Sequence, residues 1–347
     1  MKACLLKEYG KIEVVEQEVP VHAQDEVLVK IEYASICGSD QHLFKGDFHP
    51  RTRLPFIPGH EFAGHVAKTG SKIEKFATGD QVAVDPIIWC GKCAACKQEH
   101  YPACTNLKLL GIDMDGGFSD YIAVKEDMLY KVPDHVPLSH AALVEVLSIG
   151  FHATNRAATR QGDTVAIFGG GKVGQSILQA VKTRTSGQIY LIDVLDERLK
   201  MAQNSFPEVI TINTLKENPA EFIHQHSNGR GVDVAFEAVG HAQQIPGRNH
   251  PLRDAIKSIR GAGTVCVLGL GDEEVPLLMK ELIWKEARIV ASRVSHGEFA
   301  EAIEAMDQQK INPEHLITEV ISPEQIQHAF EKLEEHPEDY LKILVKF

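Results

Sequence analysis

Thr164-Val165-Ala166-Ile167-Phe168-Gly169-Gly170-Gly171-Lys172-Val173-Gly174 is a short apolar run that breaks into glycines and then into a helical pattern. Val173, Ile177, Ala180 and Val181 share one face of that helix. The glycines fit G-x-G-x-x-G. That pattern is weak alone and strong between a buried strand and an amphipathic helix, with an acidic residue, Asp193, closing the next strand. Gly169 permits the tight turn, Gly171 the close approach of a pyrophosphate, and Gly174 the contact of helix with strand. The helix start adds amides and partial positive charge for the phosphates. A glycine turn without a ligand is the competing reading. Asp193 can accept hydrogen bonds from both ribose hydroxyls and repels a 2′-phosphate, and no arginine immediately follows it. NAD is therefore the expected cofactor, against the alternative of a solvated strand-end aspartate.

Outward from this turn, residues 189–192, 209–212, 233–236, 264–268 and 288–291 continue a series of buried β segments with helical stretches between them. Six β units joined by crossovers imply a parallel, doubly wound sheet, hence a Rossmann NAD-binding domain over 149–292. Residues 1–140 read differently, as short β segments (26–31 and 81–84 among them) separated by glycine, proline and acidic turns. They predict an antiparallel, barrel-like domain. Beyond Val294, helical patterns at 298–309 and 323–336 precede a closing strand at 341–347. These pack most simply against the first domain, which then comprises 1–148 and 293–347. The expected fold class is α/β plus β.

A chain of 347 residues with 44% apolar and 24% charged residues is an ordinary globular protein with room for two cores. Its net charge of -12 argues against nucleic acid or an anionic membrane as main partner. The first residues lack the apolar core of a secretory signal, and no apolar run approaches the roughly 18 residues of a spanning helix. A cytoplasmic location is expected. Four of seven cysteines fall within 90–104, while Cys4, Cys37 and Cys266 stand alone. An odd number without an export signal favours thiols and metal over disulfides.

Cys90-x2-Cys93-x2-Cys96-x7-Cys104, in a lobe spanning 85–110, lets four thiolates converge on one tetrahedral ion and leaves no position open for substrate. The site reads as structural zinc. Disulfides are the rival, disfavoured by compartment, and a nucleic-acid finger lacks the basic surroundings it needs, given Asp85, Glu99, Asp113 and Asp115. Three further segments carry ligand-type residues: Cys37-Gly38-Ser39-Asp40-Gln41-His42, Gly59-His60-Glu61, and Glu145 within the apolar run Leu143–Gly150. A carboxylate in that run is costly unless paired or bound to metal. Thiolate, imidazole and carboxylate together make a three-ligand site with an open fourth position, as catalytic zinc requires. Each alone is weak: a lone cysteine or histidine is more often structural.

These four motifs, in this order and along the whole chain, resemble the zinc-containing medium-chain dehydrogenases, and the third ligand position resembles the sorbitol and polyol branch. The resemblance implies a GroES-like catalytic domain and two zinc ions per chain. Cys37, His60 and Glu145 would bind the catalytic ion, with Glu61 beside it as a supporting group or alternating ligand. It implies NAD-linked oxidation of a secondary alcohol, with Ser39 and then His42 relaying the proton; His42 as a solvated turn residue stays open. Gly169, Gly171, Lys172, Val173, Gly174, Asp193 and Arg198 would hold the nucleotide, with Val239, Leu268 and Gly269 under the nicotinamide. A homo-oligomer, tetramer or dimer, is expected.

For the substrate, Arg293 resembles an arginine of the polyol enzymes that reaches the substrate, an interface role being equally open. The basic loop His49-Pro50-Arg51-Thr52-Arg53 could receive a carboxylate or be a solvated turn. The C-terminal third looks most like the L-gulonate 5-dehydrogenase group, with sorbitol-like polyols, L-threonine and 2,3-butanediol as alternatives. Three features depart from the family pattern: Val146 where proline is usual, Lys172 in the glycine turn, and a long connection at 243–250. A catalytically inert zinc- and nucleotide-binding regulatory protein is the rival class, and a zincless quinone reductase would lack both the lobe and Cys37.

Overall fold

The computed structural model describes residues 1–240, 247–272 and 274–347. The 243–250 connection lies in part, at 243–246, outside the described residues. The chain divides into two compact units, Met1–Glu145 with Phe299–Phe347, and Val146–Glu298. The exchange therefore falls at Glu145/Val146 and Glu298/Phe299 instead of 148/149 and 292/293. Arg293 consequently belongs to the second unit, not to the start of the returning segment.

In the second unit six strands run parallel in the order Ile210–Asn213, Ile189–Asp193, Val165–Phe168, Val232–Glu237, Ile259–Val267, Arg288–Ala291. The order reverses between Val165–Phe168 and Val232–Glu237, the point where doubly wound sheets take their ligands. All four residues of Val165–Phe168 are buried because both sheet faces are covered. Val165 and Ile167 join one core with Ile177, Leu178 and Val181 of the helix Lys172–Arg184. Ala166 and Phe168 join another with Ile223, Ala255 and Ile256. Each fully buried valine, isoleucine or phenylalanine adds roughly 1.5–3 kcal/mol.

The first unit holds a seven-stranded sheet in which the ten-residue strand Glu26–Ser35 pairs antiparallel with Glu61–Thr69, Tyr121–Lys125 and Lys342–Lys346. One pair departs from the antiparallel pattern: Ile317–Ile321 runs parallel to Lys342–Lys346. The closing strand thus lies beside Glu26–Ser35, from whose end the chain passes directly to Cys37. Among the described residues no helix is long and apolar enough to cross a membrane.

Candidate metal and nucleotide sites

The strand Glu26–Ser35 delivers Cys37 to the cap position of the short helix Gly38–Lys45. Asp40, three residues on, turns back and accepts the Cys37 backbone N–H at 2.8 Å. The turn Ile57–Gly59 places His60 and Glu61 at the head of the antiparallel neighbour Glu61–Thr69, with Glu61 directly opposite Ser35. Ligand atoms of Cys37, His60 and Glu61 all lie within 4.8 Å of one another.

Glu145 is a different matter. It is buried at the start of the helix Val144–Ala157, close enough to feel the charges of His60, Glu61 and Cys37, but it is not one of the atoms that converge. The expected trio is thereby altered: the carboxylate that the backbone presents is Glu61, because it neighbours His60 on the same strand. Val146 simply continues the first helical turn after Glu145.

Electrostatics match a cation-binding pocket. Burial opposes a Cys37 thiolate, as does Glu61, yet Lys342 and His60 outweigh both and draw the thiol down to about 7. Burial likewise opposes an imidazolium at His60, but Asp40 and Cys37 hold it well above its ordinary value. Glu145 is pushed up to about 8, chiefly by burial and then by Glu61 and Cys37, against the pull of His60. Buried groups of this kind, one soft sulfur, one imidazole and one carboxylate, form the donor set of zinc. His60 Nδ1 lies 3.6 Å from Asp40 Oδ1, and both atoms are buried without a hydrogen bond. Such a carboxylate–histidine pair orients a metal-bound imidazole.

Two partners escaped the sequence reading. Asp40 was legible as the third residue after a cap position. Lys342, fully buried with its ammonium 2.5 Å from both Glu61 oxygens, was legible as a lysine inside an apolar strand. Ser39 Oγ stands 3.3 Å from His60 Nε2. His42 is half exposed, its Nδ1 2.7 Å from Asp47. In the basic loop, Arg51 spends its fork on Asp113, at 2.9 and 2.7 Å, so of its two arginines this one is engaged within the chain.

In the cysteine lobe the sulfurs of Cys90, Cys93, Cys96 and Cys104 also converge within 4.8 Å. Cys93 and Cys96 are 3.5 Å apart and Cys90 and Cys96 4.0 Å. Sulfurs at about 2.3 Å from one tetrahedral ion stand about 3.8 Å from each other, whereas a disulfide needs about 2.0 Å. The backbone N–H groups of Cys96 and Thr105 pull the Cys93 thiol down to about 5. The lobe fits one closed zinc site.

The glycine turn is built as its residues require. Gly169 has φ +103°, and a methyl at Gly174 would sit 1.7 Å from the Gly169 carbonyl oxygen. Gly171 caps the helix that begins at Lys172 and Val173. Asp193 accepts N–H bonds from Gly170 at 2.6 Å, Val194 at 2.7 Å and Leu195 at 2.9 Å, and Arg198 comes within 3.9 Å. Its carboxylate therefore braces the turn as well as facing it.

Comparison with known proteins agrees with this geometry. The description "Alcohol dehydrogenase GroES-like domain" matches residues 23–134 and "Zinc-binding dehydrogenase" residues 173–308. Sorbitol dehydrogenase of Bacillus subtilis (strain 168) is 34% identical over 351 aligned residues, 99% of this chain and 97% of that protein. The chain belongs to the zinc-type medium-chain alcohol and polyol dehydrogenases. Another relative, the 2-dehydro-3-deoxy-L-galactonate 5-dehydrogenase of Pseudoalteromonas atlantica, is 30% identical across 96% of this chain and 95% of its own length. Among solved structures, the alcohol dehydrogenase RspB of Escherichia coli CFT073, complexed with NADH, superposes with a TM-score of 0.89 at 29% identity, covering 100% of this chain and 99% of that one. The family is one of oxidoreductases acting on CH–OH groups of polyols and sugar acids, with zinc and a nicotinamide nucleotide.

Proposed function

We propose that this dehydrogenase transfers hydride from a secondary alcohol of a polyol or an L-gulonate-like sugar acid to NAD. The observation that carries the reading is the convergence of Cys37, half-buried, with the buried His60 and Glu61. Cys37, His60 and a carboxylate, Glu61 or Glu145, would hold the catalytic zinc; Cys90, Cys93, Cys96 and Cys104 the structural one. When bound, zinc supplies the Lewis acidity that lowers an alcohol's pKa toward neutrality, and the nicotinamide supplies a hydride acceptor. The chain's own groups do the rest. Ser39 Oγ, beside His60, takes the hydroxyl proton as it gives up its own to the next acceptor, so the serine ends neutral. His42, whose Nδ1 stands 2.7 Å from Asp47, passes the proton outward. Asp40 keeps the His60 ring oriented.

Asp193, which repels a 2′-phosphate, supports NAD over NADP. The sorbitol dehydrogenase relative supports a polyol, and the galactonate enzyme a sugar acid; Arg293 is the candidate carboxylate partner. L-threonine and 2,3-butanediol are the alternatives.

The test is a panel of sorbitol, L-gulonate, L-threonine and 2,3-butanediol with NAD and NADP, followed as reduced nucleotide. We expect turnover on a polyol or aldonate, with NAD preferred by at least about tenfold, or ~1.4 kcal/mol. Cys37→Ser should lower the rate by more than about 100-fold, the upper cost of disturbing a supporting residue, while the fold persists by circular dichroism. Retained turnover in that variant would falsify the zinc assignment.

A further inference from the structure

We propose that Glu237 is a positioning residue for the nicotinamide half of the cofactor: its carboxylate clips together the two strand-end turns on which that half rests. The inference depends on the nucleotide reading of this unit given above. Glu237 ends the strand Val232–Glu237 and is only 2% exposed. Its Oε1 accepts the N–H of Val239 at 2.9 Å, and the carboxylate lies against Gly269, where an added methyl would meet Oε2 at 2.6 Å and Oε1 at 2.9 Å. Its carbonyl oxygen takes the N–H groups of Leu268 at 2.8 Å and Gly269 at 3.0 Å. One residue thus ties the turn after its own strand to the turn after the strand Ile259–Val267.

The fit is close. A methyl at Gly269 would lie 2.4 Å from the Gly240 nitrogen and 2.6 Å from Glu237 Oε2, so both turns meet across this carboxylate. Gly240, at φ +72°, tolerates the conformation that brings its N–H there. A carboxylate is acceptor-only and suits converging N–H donors; an amide would aim its own N–H at one of them.

Location supplies the link to the cofactor. Strand order reverses between Val165–Phe168 and Val232–Glu237, and a methyl on Gly169 would come 2.9 Å from the Ala238 carbonyl oxygen. The turns held by Glu237 therefore stand at the carboxyl edge of the sheet, where doubly wound folds bind nucleotide. They leave Val239 41% exposed there. Burying a carboxyl group is costly, and burial pushes this one above its usual range against the pull of the backbone N–H bonds. A turn that needed only to exist could be closed by a smaller, neutral group.

The full chain, wild type and the variants Glu237→Gln and Glu237→Asp, is titrated calorimetrically with NADH and with ADP-ribose, which lacks the nicotinamide. Both variants should lose at least about tenfold in NADH affinity while ADP-ribose stays within about twofold. A merely structural role would weaken both ligands alike. Equal loss of the two ligands, or unchanged NADH binding, overturns the inference and leaves the nucleotide site standing. Wild-type protein that binds neither ligand overturns the nucleotide reading, and the inference with it. If Glu237→Gln fails to fold, Glu237→Asp carries the same comparison, since it keeps the charge and withdraws the carboxylate from the second turn.

Discussion

In Leu341-Lys342-Ile343-Leu344-Val345 a single lysine interrupts a fully buried apolar run, and its ammonium meets both oxygens of Glu61. Taking both charges out of water costs several kcal/mol each, and only a well-aligned pair offsets it. Removing one partner is therefore worse than removing both. Lys342→Met should destabilise by about 3–5 kcal/mol in denaturant unfolding, because Glu61 is left buried without its cation. Adding Glu61→Gln should recover a large part of that loss. A Lys342→Met effect below about 1 kcal/mol would show that the pair carries little of this site. The same residue explains why Glu61 keeps its charge next to Cys37: burial raises a carboxyl, and Lys342 followed by His60 brings it back down. Cys37, His60 and Glu61 were each visible as residue types in the sequence. Which carboxylate stood closest was not, since that depends on how Glu61–Thr69 registers against Glu26–Ser35.

At the scale of elements, the strand Val165–Phe168, its glycine turn and the helix Lys172–Arg184 behave as one piece. Gly174 lets the helix approach the turn so closely that any side chain must push it away. Gly174→Ala should cost about 1–3 kcal/mol of stability, as overpacking does. It should weaken NADH and ADP-ribose together, by about tenfold or more, in contrast to the split expected at Glu237. Normal ADP-ribose binding by Gly174→Ala would mean the turn does not hold the pyrophosphate. This piece was readable from sequence because strand, turn and helix are contiguous and each carries its own pattern. The strand Ile259–Val267 was read only from Thr264 onward. Its first half, Ile259-Arg260-Gly261-Ala262-Gly263, is partly exposed and glycine-rich, and the pairing register shifts there between Val232 and Val234. Apolar periodicity cannot report such a stretch.

For the molecule as a whole, two unlike metal sites predict two zinc ions per chain by elemental analysis. Cys37→Ser and Cys96→Ser should each leave one. Their consequences differ, because a closed four-sulfur site contributes folding energy directly. Cys96→Ser should lower the melting temperature and Cys37→Ser should change it little; a wild-type count of one would remove either the lobe or the catalytic ion from the account. The parallel sheet, the cysteine lobe and the glycine turn were determined by sequence alone, since burial, glycine conformation and close cysteine spacing act over a few residues. The pairing of Lys342 with Glu61, the choice of Glu61 over Glu145 as the converging carboxylate, the capture of Arg51 by Asp113, and the clip at Glu237 were decided only by tertiary structure. Each joins groups brought together by strand register or turn packing, and the free energy of a buried charge depends on its neighbours in space rather than in sequence.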